Sequence, residues 1–402
     1  MNLRQVTKSM LLIPATAVLI VMKLMSPVVR FRLCVTAYHR FGHLALEPEQ
    51  MLSNREIEFA SKKNRNPFPI LVDIWSLGPR RLQANRYLAK KWKMQIASMP
   101  SWIVDSLFHA GIKNSRLGLE VPKLSIYGPS NALDKCASHL SFTGREILRA
   151  NKELARMGID SNKPFVCLVV RDSGHYATGG ERESIGYDLL NTDISTFELA
   201  AQGLAERGYQ VVRMGAGSEK SMTIKHANVF DYAKSNHRSA FLDIYLAGKC
   251  SFAISTQTGP DCVSLVFRRP VCYIDIARYS QFFLGTNIAC WNPTTLIKNG
   301  SRMTLRQIMD DGVALLKDPD DFEKQGIVSI RSTPEAICDL VTGYAQLYEQ
   351  AFEVTEDEKK TAKLANDIIE RGMGEFAIHK FGKITAQVNP VFLRQQGDWF
   401  LA

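Results

Sequence analysis

Several signatures of familiar chemistry are missing from this chain of 402 residues. It has no Gly-x-Ser-x-Gly elbow, which argues against a hydrolase triad. It has no P-loop, and Gly215-Ala216-Gly217 is only half of a dinucleotide fingerprint, without the third glycine. None of the eight cysteines stand in C-x-x-C spacing, so the common zinc sites are disfavoured. The remaining histidines (39, 109, 139, 175, 226, 237 and 379) show no ligand spacing, and no metal is expected. There is also no internal repeat, no low-complexity tract, no long basic tail and no nucleic-acid-recognition signature.

The composition that remains is that of a globular protein, 46% hydrophobic and 22% charged. The length predicts two domains. Fifty basic residues against forty acidic give a net charge of +10, dispersed in pairs such as Arg80-Arg81, Lys90-Lys91 and Arg268-Arg269. An anionic membrane surface or a phosphorylated substrate fits that dispersal better than sequence-specific nucleic-acid binding. Most cysteines lie in apolar strand-like runs, Cys167 for example, and read as buried free thiols of a reducing compartment.

Residues 10–29 are almost entirely apolar, with Arg4 and Lys8 before them and Arg30 and Arg32 after. Ala15-Thr16-Ala17 lies inside the apolar core and not beyond it, which argues against a cleaved leader. Pro14, Lys23 and Pro27 interrupt a stretch that would need about 20 apolar residues to span a bilayer. An interfacial helix is the preferred reading, with a transmembrane anchor or a helix packed on the protein as alternatives.

Further along, strands are expected at 31–38 and 69–75, with a helix between them ending near 62 and a polar break at 63–67. A basic helix is expected at 81–94. After a segment hard to assign at 95–140 come a helix at 144–157 and an apolar strand at 164–170. A polar loop spans 173–191. A helix follows at 193–207, with Ser195 and Glu198 in capping-box spacing, then a strand at 209–214 and a helix at 239–249. Residues 250–275 read as strand, polar turn, short helix and strand, with Pro260 in the first helical turn. Alternating strands and helices predict a doubly wound parallel sheet. Two helices, 333–353 and 355–372, close the chain.

Ligands of open α/β sheets bind beyond the carboxyl ends of the strands. Those ends carry Arg171-Asp172, Arg213-Met214-Gly215 and Ser255-Thr256-Gln257-Thr258-Gly259. Arginine matches phosphate oxygens with bidentate hydrogen bonds. A glycine turn before a helix N-terminus offers backbone N–H groups to the same anion. Each arginine alone also fits a surface ion pair, and the convergence favours the phosphate. Asp231 and Tyr232 suit a ribose and a nucleobase, or are an ordinary loop pair. Asp261 either complements the helix dipole or binds a sugar hydroxyl. His43, just after the first strand, with Glu47 and Glu49 a turn further on, is a candidate general base or a structural histidine.

The segments FGHLALEPE at 41–49, GYQVVRMG at 208–215, FLDIYLAGKCSFAIST at 241–256 and FRRP at 267–270 resemble a group of bacterial glycosyltransferases of GT-B type linked with surface polysaccharide synthesis. The resemblance implies an α/β protein of two Rossmann-like domains facing a cleft, preceded by the apolar helix. It implies a membrane-associating segment at 1–29, an acceptor-side domain at 30–150, a nucleotide-sugar domain at 160–330 and packing helices at 331–402. A nucleotide-sugar donor would lie on Arg171, Arg213 and the 255–259 turn, needing no metal and no cofactor, and His43 would deprotonate the acceptor in an inverting reaction. The acceptor would be lipid-linked or a polysaccharide, at the cytoplasmic face of an anionic inner membrane. The alternatives are a nucleotide-sugar epimerase of the same architecture and a non-catalytic membrane-associated scaffold.

Overall fold

The computed structural model describes residues 11–61, 69–128, 131–172, 191–218, 220–351 and 353–402. The loop expected at 173–191 falls outside them except for its last residue, as do the break at 63–67 and the leading Arg4 and Lys8. The chain forms two compact units, 1–126 and 127–402.

The first unit contains helix α1 (Leu12–Leu24), strand β1 (Val29–Val35), α2 (Phe41–Ser61), β2 (Ile70–Ser76), α3 (Arg86–Lys93) and α4 (Ser101–Lys113). β1 and β2 pair in parallel, from Val29 opposite Ile70 to Val35 opposite Ser76. Single parallel bridges widen the sheet on both sides, Arg32 with Glu120 and Trp75 with Ser98. Successive side chains of a strand point to opposite faces, and β1 uses both. Leu33 joins Ala15 and Leu19 of α1 and Val104, Leu107 and Ala110 of α4 in one apolar cluster. Arg32 pairs with Asp73 of β2, which also receives Arg55 of α2.

α2 starts at Phe41 and carries Pro48 inside it. A proline there has no N–H to give the carbonyl four residues back and crowds it. The cost is offset by burial, since Leu44, Ala45, Leu46, Glu47, Pro48, Glu49 and Gln50 are all buried in succession.

The second unit is built on a seven-stranded sheet in the order β12-β8-β7-β6-β3-β4-β5. Its strands are β3 (Phe165–Val169), β4 (Gln210–Arg213), β5 (Val229–Phe230), β6 (Ala253–Ser255), β7 (Val271–Ile276), β8 (Ala289–Pro293) and β12 (Gln387–Val388). All neighbours pair in parallel. β3, β4, β6, β7 and β8 are buried along their whole length, and the sequence of β3 is accordingly a continuous apolar run that does not alternate. A small antiparallel sheet, in the order β10-β9-β11, is made by β9 (Thr295–Lys298), β10 (Ser301–Arg302) and β11 (Ile327–Ile330). The helices include α5 (Ala132–Lys135), α6 (Gly144–Arg156), α7 (Glu198–Glu206), α8 (Ala240–Lys249) and α9 (Asp261–Val266).

The second unit begins at Tyr127, upstream of the 140–163 interval expected from the sequence. The side chains of 127–134 explain this. Tyr127 packs against Phe283 and Phe381, and its hydroxyl donates to the Gln281 carbonyl at 2.6 Å. Asn131 donates to the carbonyls of Gly285 and Lys383 at 2.8 and 2.7 Å and accepts from the Lys383 N–H. Asp134 accepts from the hydroxyls of Thr286 and Thr385. The tail contributes to the same unit, because β12 is an edge strand of the main sheet, Gln387 opposite Cys290.

The capping box expected at Ser195 and Glu198 is absent. The Asp193 carboxylate accepts the Ser195 N–H at 3.0 Å, starting a short 3-10 turn over Ile194–Phe197. Glu198 instead accepts from the hydroxyl and N–H of Thr223. A carboxylate is the stronger acceptor, so the aspartate takes the terminus. All eight cysteines are free thiols, seven of them buried.

Candidate functional site

In the sheet order, β3 is the point where the chain turns outward in both directions, to β4 and β5 on one side and β6 to β8 on the other. The crevice at such a reversal is where open α/β sheets bind ligands. β3 and β6 lie side by side, Val169 opposite Ser255. Just past their ends the Arg171 N–H donates to Thr256 Oγ1 at 2.9 Å. This joins two of the three strand ends expected to converge, and the third, β4, is the other neighbour of β3.

The turn between β6 and α9 is held by its own side chains. Ser255 Oγ donates to Asp261 Oδ2 at 2.5 Å and accepts the Gln257 N–H at 3.1 Å. The same carboxylate oxygen accepts the Thr258 N–H at 2.7 Å. Gln257 has φ +63°, unusual for a residue with a side chain. Its Nε2 is fixed on the Gln281 carbonyl. The expectation that this turn points its N–H groups at a phosphate is therefore corrected for Gln257 and Thr258. Ser255 and Asp261 already consume them, and a fixed carboxylate occupies the start of a helix only six residues long.

Asp261 is wholly buried, and burial pushes its carboxyl up to about 6. The hydroxyl of Ser255, the N–H of Thr258 and the charge of Arg171 oppose the rise. Its reading as a sugar-hydroxyl ligand gives way to one as the brace of the turn. Among the described residues, Gln257 Oε1, Thr258 Oγ1 and the Tyr273 hydroxyl are buried without a hydrogen-bond partner. Native proteins rarely leave such atoms unpaired without a ligand or water to meet them. Thr258, Gly259 and Pro260, at the tip of the turn, are only half-buried.

The end of β4 differs from the reading of Arg213 as a phosphate ligand. Arg213 is 1% exposed. Its Nη1 donates to the Lys220 carbonyl at 2.6 Å and to Asp231 at 3.1 Å, and its Nη2 lies 3.7 Å from Asp172. Asp231 also accepts the Met222 N–H at 2.9 Å. Arg213, Asp172 and Asp231 are thus a charge cluster that fixes the loop after β4, and Asp231 is occupied within it. Gly215 follows at φ +152°, where a Cβ would approach Ser218 Oγ to 2.8 Å. Tyr232 is 1% exposed, and its hydroxyl donates to Asp243 at 2.9 Å. It also accepts the Ser239 N–H at the start of α8. It is a packed residue whose hydroxyl is engaged within the unit.

In the first unit, His43 and Glu47 meet one helical turn apart on α2, Nδ1 to Oε1 at 2.7 Å. The other oxygen of Glu47 accepts the Ala37 N–H, just past the end of β1, at 3.0 Å. Glu47 is buried, while the His43 side chain is 29% exposed. A carboxylate on Nδ1 fixes the proton there and leaves Nε2 as the basic nitrogen. The pair is suited to accept a proton.

Sequence reasoning missed Gln257 and Tyr273. The signal for Gln257 was a residue with a side chain between two threonines of a turn otherwise suited to glycine. Tyr273 carried no local signal, because it reads as one more strand aromatic. Among the described residues no three His, Cys, Asp or Glu side chains gather to hold a metal ion. No helix there is long and apolar enough to cross a membrane.

No protein-family model matches the sequence, and no curated protein sequence matches it. Solved structures align with parts of the chain, among them the following three. The ADP-heptose LPS heptosyltransferase II of E. coli shares 13% identity at a TM-score of 0.37, over 61% of this chain and 84% of that one. A glycosyl transferase family 9 protein of Veillonella parvula shares 12% at 0.31, over 60% and 79%. The dodecameric iron-containing heptosyltransferase TibC, solved with ADP-D-beta-D-heptose, shares 12% at 0.35, over 81% and 77%. Overlaps this loose carry no substrate or residue role to the present chain. Its own architecture is mixed α/β with a parallel central sheet.

Proposed function

We propose that this protein is a glycosyltransferase. It moves a sugar from a nucleoside-diphosphate sugar to a lipid-linked or surface-polysaccharide acceptor, without a metal and with inversion. The reaction takes place at the cytoplasmic face of an anionic inner membrane. The observation that carries the reading is the reversal of strand order between β3 and β6, where Arg171 and the Thr256–Gly259 turn meet just past the strand ends.

In this reading the Arg171 guanidinium and the Thr258 hydroxyl offset the charge that grows on the departing diphosphate. His43 Nε2 takes the proton of the acceptor hydroxyl as its oxygen bonds the anomeric carbon. Glu47 holds the imidazole in the required tautomer and stabilises the cation that forms. An epimerase needs free carboxylates at the sheet edge. It is less well supported, because Asp172, Asp231 and Asp261 are engaged by Arg213, Ser255 and Thr258.

The test is thermal shift of the full chain with a panel of nucleoside diphosphates, repeated with Arg171→Ala and Thr258→Val. At 100-fold excess over Kd a bound nucleotide adds about 2.7 kcal/mol of stability, an upward shift of a few degrees that both variants are expected to reduce. No shift with any nucleotide would reject the reading. A shift unchanged in both variants would move the site elsewhere.

A further inference from the structure

We infer that the first unit carries a preformed, one-sided docking surface for an anionic lipid bilayer. Its centre is the outward face of α1, which lies in the plane of the interface and does not cross it. This deepens the membrane location proposed above and rests on that reading for its purpose.

Four observations bear on it. The first is the helix itself. α1 buries a stripe of Ala15 and Leu19, with Leu12 and Met22 beside it, against β1, β2 and α4. The opposite faces are apolar as well. Ile13 is 79% exposed, Leu24 76% and Val21 54%, with Val18 and Ile20 close behind. A helix that is apolar all round is normally buried all round, and this one is buried on one side only.

The second is how few polar groups α1 carries, only Thr16 and the exposed Lys23, whose ammonium suits the headgroup level. Each makes one hydrogen bond within the unit. Thr16 donates to the Leu12 carbonyl at 2.8 Å, and Lys23 donates to the Arg116 carbonyl.

The third is charge. Residues 1–126 hold 19 Lys and Arg against 7 Asp and Glu, a net +12, while residues 127–402 hold 31 against 33, a net −2. The whole positive excess of the chain therefore belongs to the unit that carries α1. Each basic residue near an anionic leaflet contributes to attraction that acts within a Debye length.

The fourth is the distribution of exposed apolar groups. Of the 24 large exposed hydrophobic residues among those described, 16 belong to the first unit. They include Trp102, 57% exposed on α4, the helix that α1 packs against. Tryptophan favours the headgroup level of a membrane.

Among the described residues no helix is long and apolar enough to span. Thirteen helical residues cover about 20 Å, short of a hydrocarbon core of about 30 Å. A helix fixed along one side and apolar along the other inserts sideways, to the depth of its outer side chains. The short link at residues 25–28 joins α1 to β1, and Leu33 of β1 shares one apolar cluster with Ala15 and Leu19 of α1. α2, which carries His43, begins a few residues past the end of β1.

The experiment is flotation of the full-length protein with vesicles of phosphatidylcholine alone or with about a third phosphatidylglycerol. Wild type is expected to partition at least about tenfold more strongly to the anionic vesicles, and raised salt should remove that preference. The double variant Val18→Asp/Val21→Asp changes only exposed positions and is expected to lose at least about tenfold on both vesicle types. Its circular dichroism and melting temperature serve as the folding control. Lys113→Glu/Arg116→Glu should lower only the anionic preference. Wild type that ignores both vesicle types, or a folded V18D/V21D variant that floats like wild type, overturns the inference. So does light scattering that shows a dimer dissolved by V18D/V21D, since a second copy would then be the occupant. Vesicle binding needs no nucleotide, so loss of the donor reading would leave this result standing.

Discussion

His43 Nδ1 and Glu47 Oε1 lie 2.7 Å apart, and the second oxygen of the same glutamate is anchored on the Ala37 N–H. A carboxylate held at both ends fixes the ring it touches. His43→Ala is expected to lower transferase kcat by about 10²–10⁴, the usual worth of a general base. Glu47→Gln keeps the size and can still accept the Ala37 N–H. Its amide, however, donates toward Nδ1 and drives the ring proton to Nε2, so kcat should fall while the donor KM stays nearly constant. Initial rates with saturating acceptor check this. Equal losses in kcat and in nucleotide binding would place His43 in a structural role.

Asp261 gives the turn a dependence on pH. Its carboxyl titrates near 3.8 in an unfolded chain and is pushed up to about 6 in the fold, chiefly by burial. The folded state thus binds its proton more tightly. The resulting contribution to stability is fully present below pH about 4 and is lost as pH rises through about 6, an amount on the order of 3 kcal/mol. Both hydrogen bonds reach a single oxygen of this carboxylate. Asp261→Asn can keep both and has no proton to lose. Its melting temperature should therefore change less than that of wild type between pH 4 and pH 7, while Asp261→Ala should be destabilised by about 1–3 kcal/mol. Melting curves across that range for the three proteins decide it. Parallel curves for wild type and Asp261→Asn would mean that the group does not titrate there.

The parts of this fold that could be read from sequence are those whose signal is local. β3, β6 and β7 announce themselves because a strand buried on both faces must be apolar throughout. His43 and Glu47 were legible as a pair because residues four apart share one face of a helix. The staple at Asn131 and Asp134 was not legible. It acts through single bonds to groups about 150 to 250 residues away, and no periodicity reports such bonds. β12 escaped for another reason, since two residues at a sheet edge carry no pattern. Arg213 and Tyr232 could not be placed from sequence, because a polar end at a strand terminus looks the same whether it faces a ligand or a neighbour. Only burial separates the cases, and both are 1% exposed.

That burial makes Arg213 a test of the architecture. Its guanidinium lies between Asp231 and Asp172 and also holds the Lys220 carbonyl. Removing one member of a buried ion cluster leaves the others charged in a poor solvent, which typically costs 3–5 kcal/mol. Arg213→Met should therefore lower the urea midpoint and the melting temperature strongly, with or without nucleotide. Pairing it with Asp231→Asn removes one stranded charge, so the double variant should recover part of the loss. A double-mutant cycle by urea denaturation measures that coupling. If instead Arg213→Met melts like wild type and loses only its response to nucleoside diphosphates, the guanidinium belongs to the donor site and the charge cluster is incidental.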